Sequence, residues 1–350
     1  VKIRVVASDL PHPQGSAAGR DLWAWCEAAR ALGHDLTAWI WHISPVSPRG
    51  PIPDWAEYRD TARPSRWGTF VSAADARAAG FDPEPDAVVV ADHLPSGGAV
   101  VGHPRSVLTL HYRALLDALS VRTLRPWHLR TAYEEVHLAR RSRCVLAFSA
   151  RVARGVGRHV DVVPMTAPLP AHRLPVVEEP VAAMLADWWW KPNRAALDDL
   201  LRRWPDVRRR VPGARLLLGG RNFPADLGAV PGVEVLGTVA DSTEVLAQAA
   251  LLAFPCPTSS GPKGKTLEAL ALGLPVVTTP PGMEGIELLP GGEAMTATAA
   301  DFTDRLVTIL GDPVARARLA DLGRASVEAN HAPEVAARAK LRIFESAFGA

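Results

Sequence analysis

Short apolar strands alternating with helical stretches, twice over, constrain this chain more than any single residue does. The first half opens on KIRVVAS, passes through a helical pattern from about Ser16 to Leu32 and returns to strand in GHDLTAWIW. DAVVVADH, SVLTLHY, a helix through HLRTAYEEVHLARR and the strand CVLAFS carry the alternation to Ser149. Near-continuous aliphatic runs separated by helices belong to a parallel sheet buried on both faces. The Pro-rich passage DVVPMTAPLPAHRLPVVEEP interrupts the pattern and reads as a linker. The alternation then restarts with AAMLADWWW, a helix from about Asn193, ARLLLGG, VEVLGT, a helix near Glu244, LLAFPCP and LPVVTT. The expectation is two doubly wound α/β domains, residues 1–172 and 173–332, whose strand carboxyl ends face a cleft. The amphipathic segment PEVAARAKLRIFESAFG, within 333–350, follows the second sheet and is expected to cross back to the first domain.

A chain of 350 residues is long enough for two such cores. No apolar run reaches the roughly 18 residues of a membrane span, and VKIRVVASDL reads as a strand rather than a signal peptide, so the expected location is cytoplasmic. Cys26, Cys144 and Cys256 are isolated and are expected to be buried free thiols, with no metal spacing. A net charge of +2 makes no case for nucleic acid, and the basic run RRWPDVRRRVPGAR reads as the solvated end of a helix.

The stretch SSGPKGKTLEALALGLPVV (Ser259–Val277) contains the Gly-Lys-Thr that closes a P-loop. A P-loop needs a further glycine five residues before that Gly, and Ser259 stands there. The following strand, LPVVTTPPG, ends without an acid to hold magnesium. An NTPase is therefore unfavoured, but the local design still favours an anion. A helix starting near Gly264 or Lys265, buried through Leu267, Leu270 and Ala271 and stopped at Gly273, presents free amides and the positive end of its dipole. Lys265 either adds a point charge there or is merely solvated. Glu268 either accepts the two hydroxyls of a ribose diol or is an acid favoured by the helix start.

The second half resembles the nucleotide-sugar domain of GT-B glycosyltransferases, in particular the retaining GT4-like class (glycosyl transferases group 1). The resemblance rests on WKPN (Trp190–Asn193), PGARLLLGG, GVEVLGTVAD (Gly232–Asp241) and KTLEALALGLPVVTTPPGMEGI (Lys265–Ile286), in order and spacing over roughly 150 residues. The first half is compatible through PHPQG, ALGHDL, LTLH (Leu108–His111) and VLAFS. The resemblance implies two Rossmann-like domains facing across a cleft, and assigns roles residue by residue. Glu268 would hold the donor ribose, and the loop Gly261–Thr266, with Lys263, Gly264 and Lys265, would take the diphosphate and sugar. His111 would approach the transferred sugar, and Gly15 and Ser16 would lie near donor phosphate and acceptor. No metal and no cofactor beyond the nucleotide-diphosphate sugar are implied. The chain departs from the pattern at Ser260, where a first glutamate is expected, and at Ala186–Asp187, where the family carries Gly-Arg. Lys191 is adjacent to the expected companion lysine but not aligned with it. Arg221, after LLLGG, either replaces the missing cation or is a surface arginine; Thr238 is a further donor-side candidate.

His93 and His111 end neighbouring strands on the presumed cleft edge, where a structural role competes with a functional one. Trp188–Trp190 either stack on a base or sugar or pack in the core or between domains. Trp23 and Trp25, two residues apart on one helix, are not expected to share the core. The segment from Pro45 to Gly68 is long enough to serve as an acceptor lid. The expected function is retaining transfer of a sugar to a hydroxyl of a small soluble acceptor, such as a natural-product intermediate, since no basic amphipathic face is apparent in the sequence. The alternatives are a nucleotide-sugar-binding partner protein without the chemistry and a GT-B sugar-nucleotide epimerase. A dehydrogenase is unfavoured because no G-x-G-x-x-G follows the first strand.

Overall fold

The computed structural model describes residues 1–41, 52–59, 70–120, 124–224, 227–239 and 241–349. The first domain holds seven strands, β1 (Lys2–Ala7), β2 (Asp35–Ile40), β3 (Ala56–Tyr58), β4 (Val88–Asp92), β5 (Ser106–Leu110), β6 (Cys144–Ala147) and β7 (Asp161–Val162). Their order is β3-β2-β1-β4-β5-β6-β7, and every pairing is parallel. The intervening helices are α1 (Ala17–Ala31), α2 (Ala73–Ala78), α3 (Ala114–Ser120), α4 (Pro126–Arg141) and α5 (Ala150–Ala153). The second domain holds β8 (Val181–Leu185), β9 (Arg215–Gly219), β10 (Val233–Gly237), β11 (Leu251–Phe254) and β12 (Val276–Thr278), again parallel, in the order β10-β9-β8-β11-β12. Its helices are α6 (Lys191–Arg210), α7 (Ser242–Leu246), α8 (Gly264–Ala271), α9 (Phe302–Gly311) and α10 (Pro313–Asn330), and α11 (Pro333–Phe348) ends the chain. The central strands β4, β5, β8 and β11 are buried along their whole length, which is why they read as unbroken apolar runs.

Helix α11 packs on α1 of the first domain. It buries Ala336, Ala337, Leu341 and Phe344, and the last two alone contribute about 1.5–3 kcal/mol each by leaving water. One continuous apolar core runs from Ile3 and Trp25 through Phe148 and Met165 to the second sheet and Phe344. A second cluster covers the other face of the first sheet, around Trp39, Val89, Leu108 and Phe81.

Two readings of tryptophan need correction. Trp25 is fully buried, yet Trp23 also packs against the same core. Because α1 is flanked by both its sheet and α11, its buried arc is wider than one helical stripe. The strand read as AAMLADWWW stops at Leu185, and the three tryptophans that follow part company: Trp188 is buried, Trp189 is 82% exposed, and Trp190 caps α6. The cysteines are free and buried. Of residues 45–68 only 52–59 are described, so the acceptor-lid reading lies outside the described residues. Among the described residues no helix is long and apolar enough to cross a membrane.

Candidate active site between the domains

The loop after β11 and the start of α8 press against the carboxyl edge of the first sheet. Gly261 has φ +154°, and a Cβ there would stand 2.3 Å from the carbonyl oxygen of His111. A Cβ on Gly264 would stand 2.5 Å from that of Ala17, the first residue of α1. The Arg113 amide donates to the Ser260 carbonyl at 3.1 Å, closing a backbone contact between domains. Two glycines therefore let the second domain's helix start approach both His111 and the start of α1, a proximity that any side chain would prevent.

Both lysines of this loop are held by partners within the second domain. Lys263 is buried and its Nζ donates to Ser259 Oγ (3.1 Å) and to the Gly261 carbonyl (2.6 Å), holding the loop's shape. Lys265 donates to Asn193 Oδ1 of α6 at 2.7 Å and lies 4.2 Å from the centre of the Phe254 ring. Burial, with the neighbouring Lys263 charge acting the same way, pulls its pKa down to about 7. Thr266 is buried with its hydroxyl unpaired. One turn into α8, Glu268 accepts both guanidinium nitrogens of Arg20 from α1, at 3.2 and 3.0 Å, and the Ser242 hydroxyl at 2.7 Å. The carboxylate expected to meet a ribose already bridges the domains.

On the first-domain side, His111 Nε2 lies 3.2 Å from Asp92 Oδ1, and both side chains are almost fully buried. Burial disfavours the imidazolium, but the Asp92 carboxylate outweighs it, and the His111 pKa rises above its ordinary value. Burial likewise works against the Asp92 carboxylate, and His111 reverses the sign, so its pKa falls. His93 stands edge-on to His111 at 4.7 Å, and its buried Nδ1 has no hydrogen-bond partner. Burial and the neighbouring imidazolium pull its pKa down to about 3. It also sits at φ +77°, a backbone state that costs a non-glycine residue about 1–3 kcal/mol and collects at functional sites. The Phe148 ring lies against His111 (4.7 Å between centres) on one side, and the ammonium of Lys340 lies 5.4 Å from its centre. Lys340 Nζ and Asp21 Oδ2 are 3.7 Å apart, both buried and without a hydrogen-bond partner.

The remaining candidates stand further out. Ser16 caps α1 by accepting from the Gly19 amide (3.0 Å) and donates to Asp9 (2.8 Å), with Gly15 just before it. Arg221 is exposed, and its carbonyl accepts from the Trp188 amide. Asp187 accepts from Asn222 at 2.9 Å, so the loop at the carboxyl end of β8 is tied to the one that carries Arg221. Thr238 is exposed beyond β10. Among the described residues no three His, Cys, Asp or Glu side chains gather as a metal site. Asp92, Arg20, Asn193 and Lys340 were missed as site residues. Asp92 had a signal, a lone acid closing an otherwise apolar strand beside His93, and Asn193 ends the WKPN motif; Arg20 and Lys340 had none, because their partners lie far along the chain.

Residues 179–312 match the family described as glycosyl transferases group 1. No curated protein sequence matches the chain. Crystal structures of Anabaena HepE, one of them with UDP and glucose, superpose with a TM-score of 0.67 over 99% of this chain and 100% of that one, at 18% identity. A Rickettsia africae glycosyltransferase gives 0.63 over 99% and 98%, at 13% identity. Staphylococcus aureus TarM, crystallised with UDP among other ligands, gives 0.60 at 11% identity over 75% of this chain, which spans only 56% of TarM. With two parallel-sheet domains meeting at their carboxyl edges, the chain has the GT-B fold, and residues 179–312 of its second domain match the glycosyl transferases group 1.

Proposed function

We propose that the protein transfers a sugar from a nucleotide-diphosphate donor to an acceptor hydroxyl, with retention and without a metal or further cofactor. The observation that carries this reading is the meeting, across Gly261, of the α8 helix start and the buried His111–Asp92 pair. Amides at the start of α8 and the Lys265 ammonium stabilise charge on the departing diphosphate. The bond between the anomeric carbon and the phosphate oxygen breaks, with its electron pair going to that oxygen. The acceptor oxygen bonds to the same face, and its proton passes to the departing phosphate. A charged His111 offers a hydrogen-bond donor beside the sugar, and Glu268 receives the ribose hydroxyls in a site it shares with Arg20. HepE and TarM, which have the same fold, were crystallised with UDP, which makes a nucleotide donor the natural class to test. UDP-, GDP- and dTDP-sugars should be screened by thermal shift and by nucleotide release. A donor raises the melting temperature by mass action and is turned over; no shift with any donor contradicts the reading.

A second reading, a nucleotide-sugar-binding partner without the chemistry, is favoured by Ser260. This residue is buried where the family pattern expects an acid. Donor-induced stabilisation without nucleotide release across a broad acceptor panel selects it.

A further inference from the structure

Near the His111–Asp92 pair lies a second pair of buried charges, Asp21 of α1 and Lys340 of α11, 0% and 1% exposed. Lys340 shares the buried face of α11 with Ala336, Ala337, Leu341 and Phe344, and that helix packs on α1. Its Nζ lies 3.7 Å from Asp21 Oδ2 and 4.3 Å from the centre of the Trp25 ring. Neither Nζ nor Oδ2 has a hydrogen-bond partner. The other oxygen, Oδ1, accepts from the Thr166 amide at 2.6 Å, which fixes the carboxylate.

Stability does not account for this pair. A buried ion pair repays its desolvation only through good geometry and further hydrogen bonds, and apolar packing of similar volume serves as well or better. What the pair has is position. Lys340 Nζ stands 5.4 Å from the centre of the Phe148 ring, and His111 packs on the same ring with 4.7 Å between centres. Ammonium and imidazole thus lie around one aromatic ring, in an interior that screens one charge poorly from the other. His111 faces Asp92 and His93 at the end of β4, Asp21 on α1 and Asp9 after β1, while Asp92 also faces Lys340. Two fully enclosed carboxylates, Asp21 and Asp92, therefore meet two bases, Lys340 and His111. Lysine ordinarily holds its proton about four units more firmly than histidine. If one carboxylate charge is lost, the proton that leaves is the one on His111.

We propose that Asp21 is a positioning residue for the transfer reaction: its carboxylate balances the Lys340 ammonium, which leaves Asp92 to balance His111 and keeps the imidazole protonated. The part in transfer rests on His111 acting as a charged donor beside the sugar; the charge balance itself does not.

The test reads His111 directly. Its ring signal in the full chain, isotope-labelled at Cε1 and assigned with His111→Gln, is titrated by NMR in the parent, in Asp21→Asn and in Asp21→Asn/Lys340→Met. Asparagine keeps an oxygen for the Thr166 amide and removes the charge; Asp21→Ser replaces it should Asp21→Asn fail to fold. His111 should titrate about half a unit or more lower in the single variant and return toward the parent value in the double one. A pair that only supports the fold gives no such return, because losing its second member adds to the damage. An unshifted His111 in the single variant, or a double variant shifted as far as the single, overturns the proposal. With a donor in hand, the alkaline fall in nucleotide release should move with the NMR titration. A rate profile that stays fixed while His111 shifts would contradict the part given to His111 in transfer and leave the charge balance standing.

Discussion

The Arg20 guanidinium donates both its terminal nitrogens to the Glu268 carboxylate, joining α1 of the first domain to α8 of the second at a point where each side chain is less than one-fifth exposed. Glu268, which we propose holds the donor ribose, is thus already engaged across the domain contact. Partial burial and two charge-assisted bonds make the pair worth about 1–2 kcal/mol, more than a surface ion pair. Arg20→Leu should lower the melting temperature by about 1–3 °C, and Arg20→Lys by less. A differential scanning experiment on the two variants reads this directly, and an unchanged Arg20→Leu midpoint would mean that the pair adds nothing to the interface.

The His111–Asp92 pair makes a signed statement about pH. Because the folded-state pKa of His111 is raised, its contribution is complete below the ordinary histidine value of about 6.5 and is lost as pH rises through the higher folded value. Asp92, with a depressed pKa, contributes above the ordinary carboxylate value and loses that contribution as pH falls through the folded one. Asp21, Asp9, His93 and Lys340 face the same pair, so the field is shared among α1, α11 and two loops. Asp92→Asn removes the charge that opposes burial, and His111 should then titrate below its ordinary value. The alkaline fall in turnover should move to lower pH by at least about one unit; a pH–rate profile identical to that of the parent chain would separate His111 from the chemistry.

Lys265 carries the opposite sign. Its folded pKa, pulled down to about 7 from the ordinary lysine value, means that the folded state is penalised increasingly as pH falls toward 7. Lys265→Met should therefore raise the melting temperature of the free protein by about 3 °C or more near pH 6.5, despite the lost bond to Asn193. The same variant should lose most of the stabilisation that a donor gives, since a bound diphosphate is what would favour the ammonium. Thermal shift with and without donor measures both effects on one plate.

Gly261 tests the domain contact. Alanine there would meet the His111 carbonyl at 2.3 Å, whereas alanine at Gly102, φ +91°, has nothing within 4 Å and carries only backbone strain. Both substitutions should cost about 1 kcal/mol of conformational strain, but only Gly261→Ala should part the domains. Turnover should fall at least about tenfold in Gly261→Ala and stay near the parent value in Gly102→Ala. Small-angle scattering should show a larger radius of gyration for Gly261→Ala alone.

The fold was legible because buried parallel strands cannot hide: β4, β5, β8 and β11 are apolar at every position but Asp92 and two small hydroxyl residues of β5. The stop of α8 before Gly273 was legible because the left-handed backbone there favours a residue without a side chain. What could not be read was where charges go. Arg20 and Glu268 are 248 residues apart, and nothing near either names the other. Lysine ordinarily signals surface, yet Lys265 is enclosed by Asn193 and Phe254, and Lys340 is buried on a helix whose amphipathic pattern gave no hint of Asp21 or Phe148. Trp23 was misjudged because helix patterns describe one covering layer, while α1 has two.

The most direct measurement is donor affinity and turnover in Glu268→Ala, with Arg20→Ala as its partner. Both variants lose the interdomain ion pair, but only the first removes the acceptor for ribose hydroxyls. With the donor identified by the thermal-shift screen, Glu268→Ala should weaken its binding at least about tenfold, the cost of two lost hydrogen bonds to a charged group, while Arg20→Ala stays within a few-fold of the parent chain. Parent-like donor affinity and rate in Glu268→Ala would contradict the account, leaving Glu268 a structural bridge and the ribose to be held elsewhere.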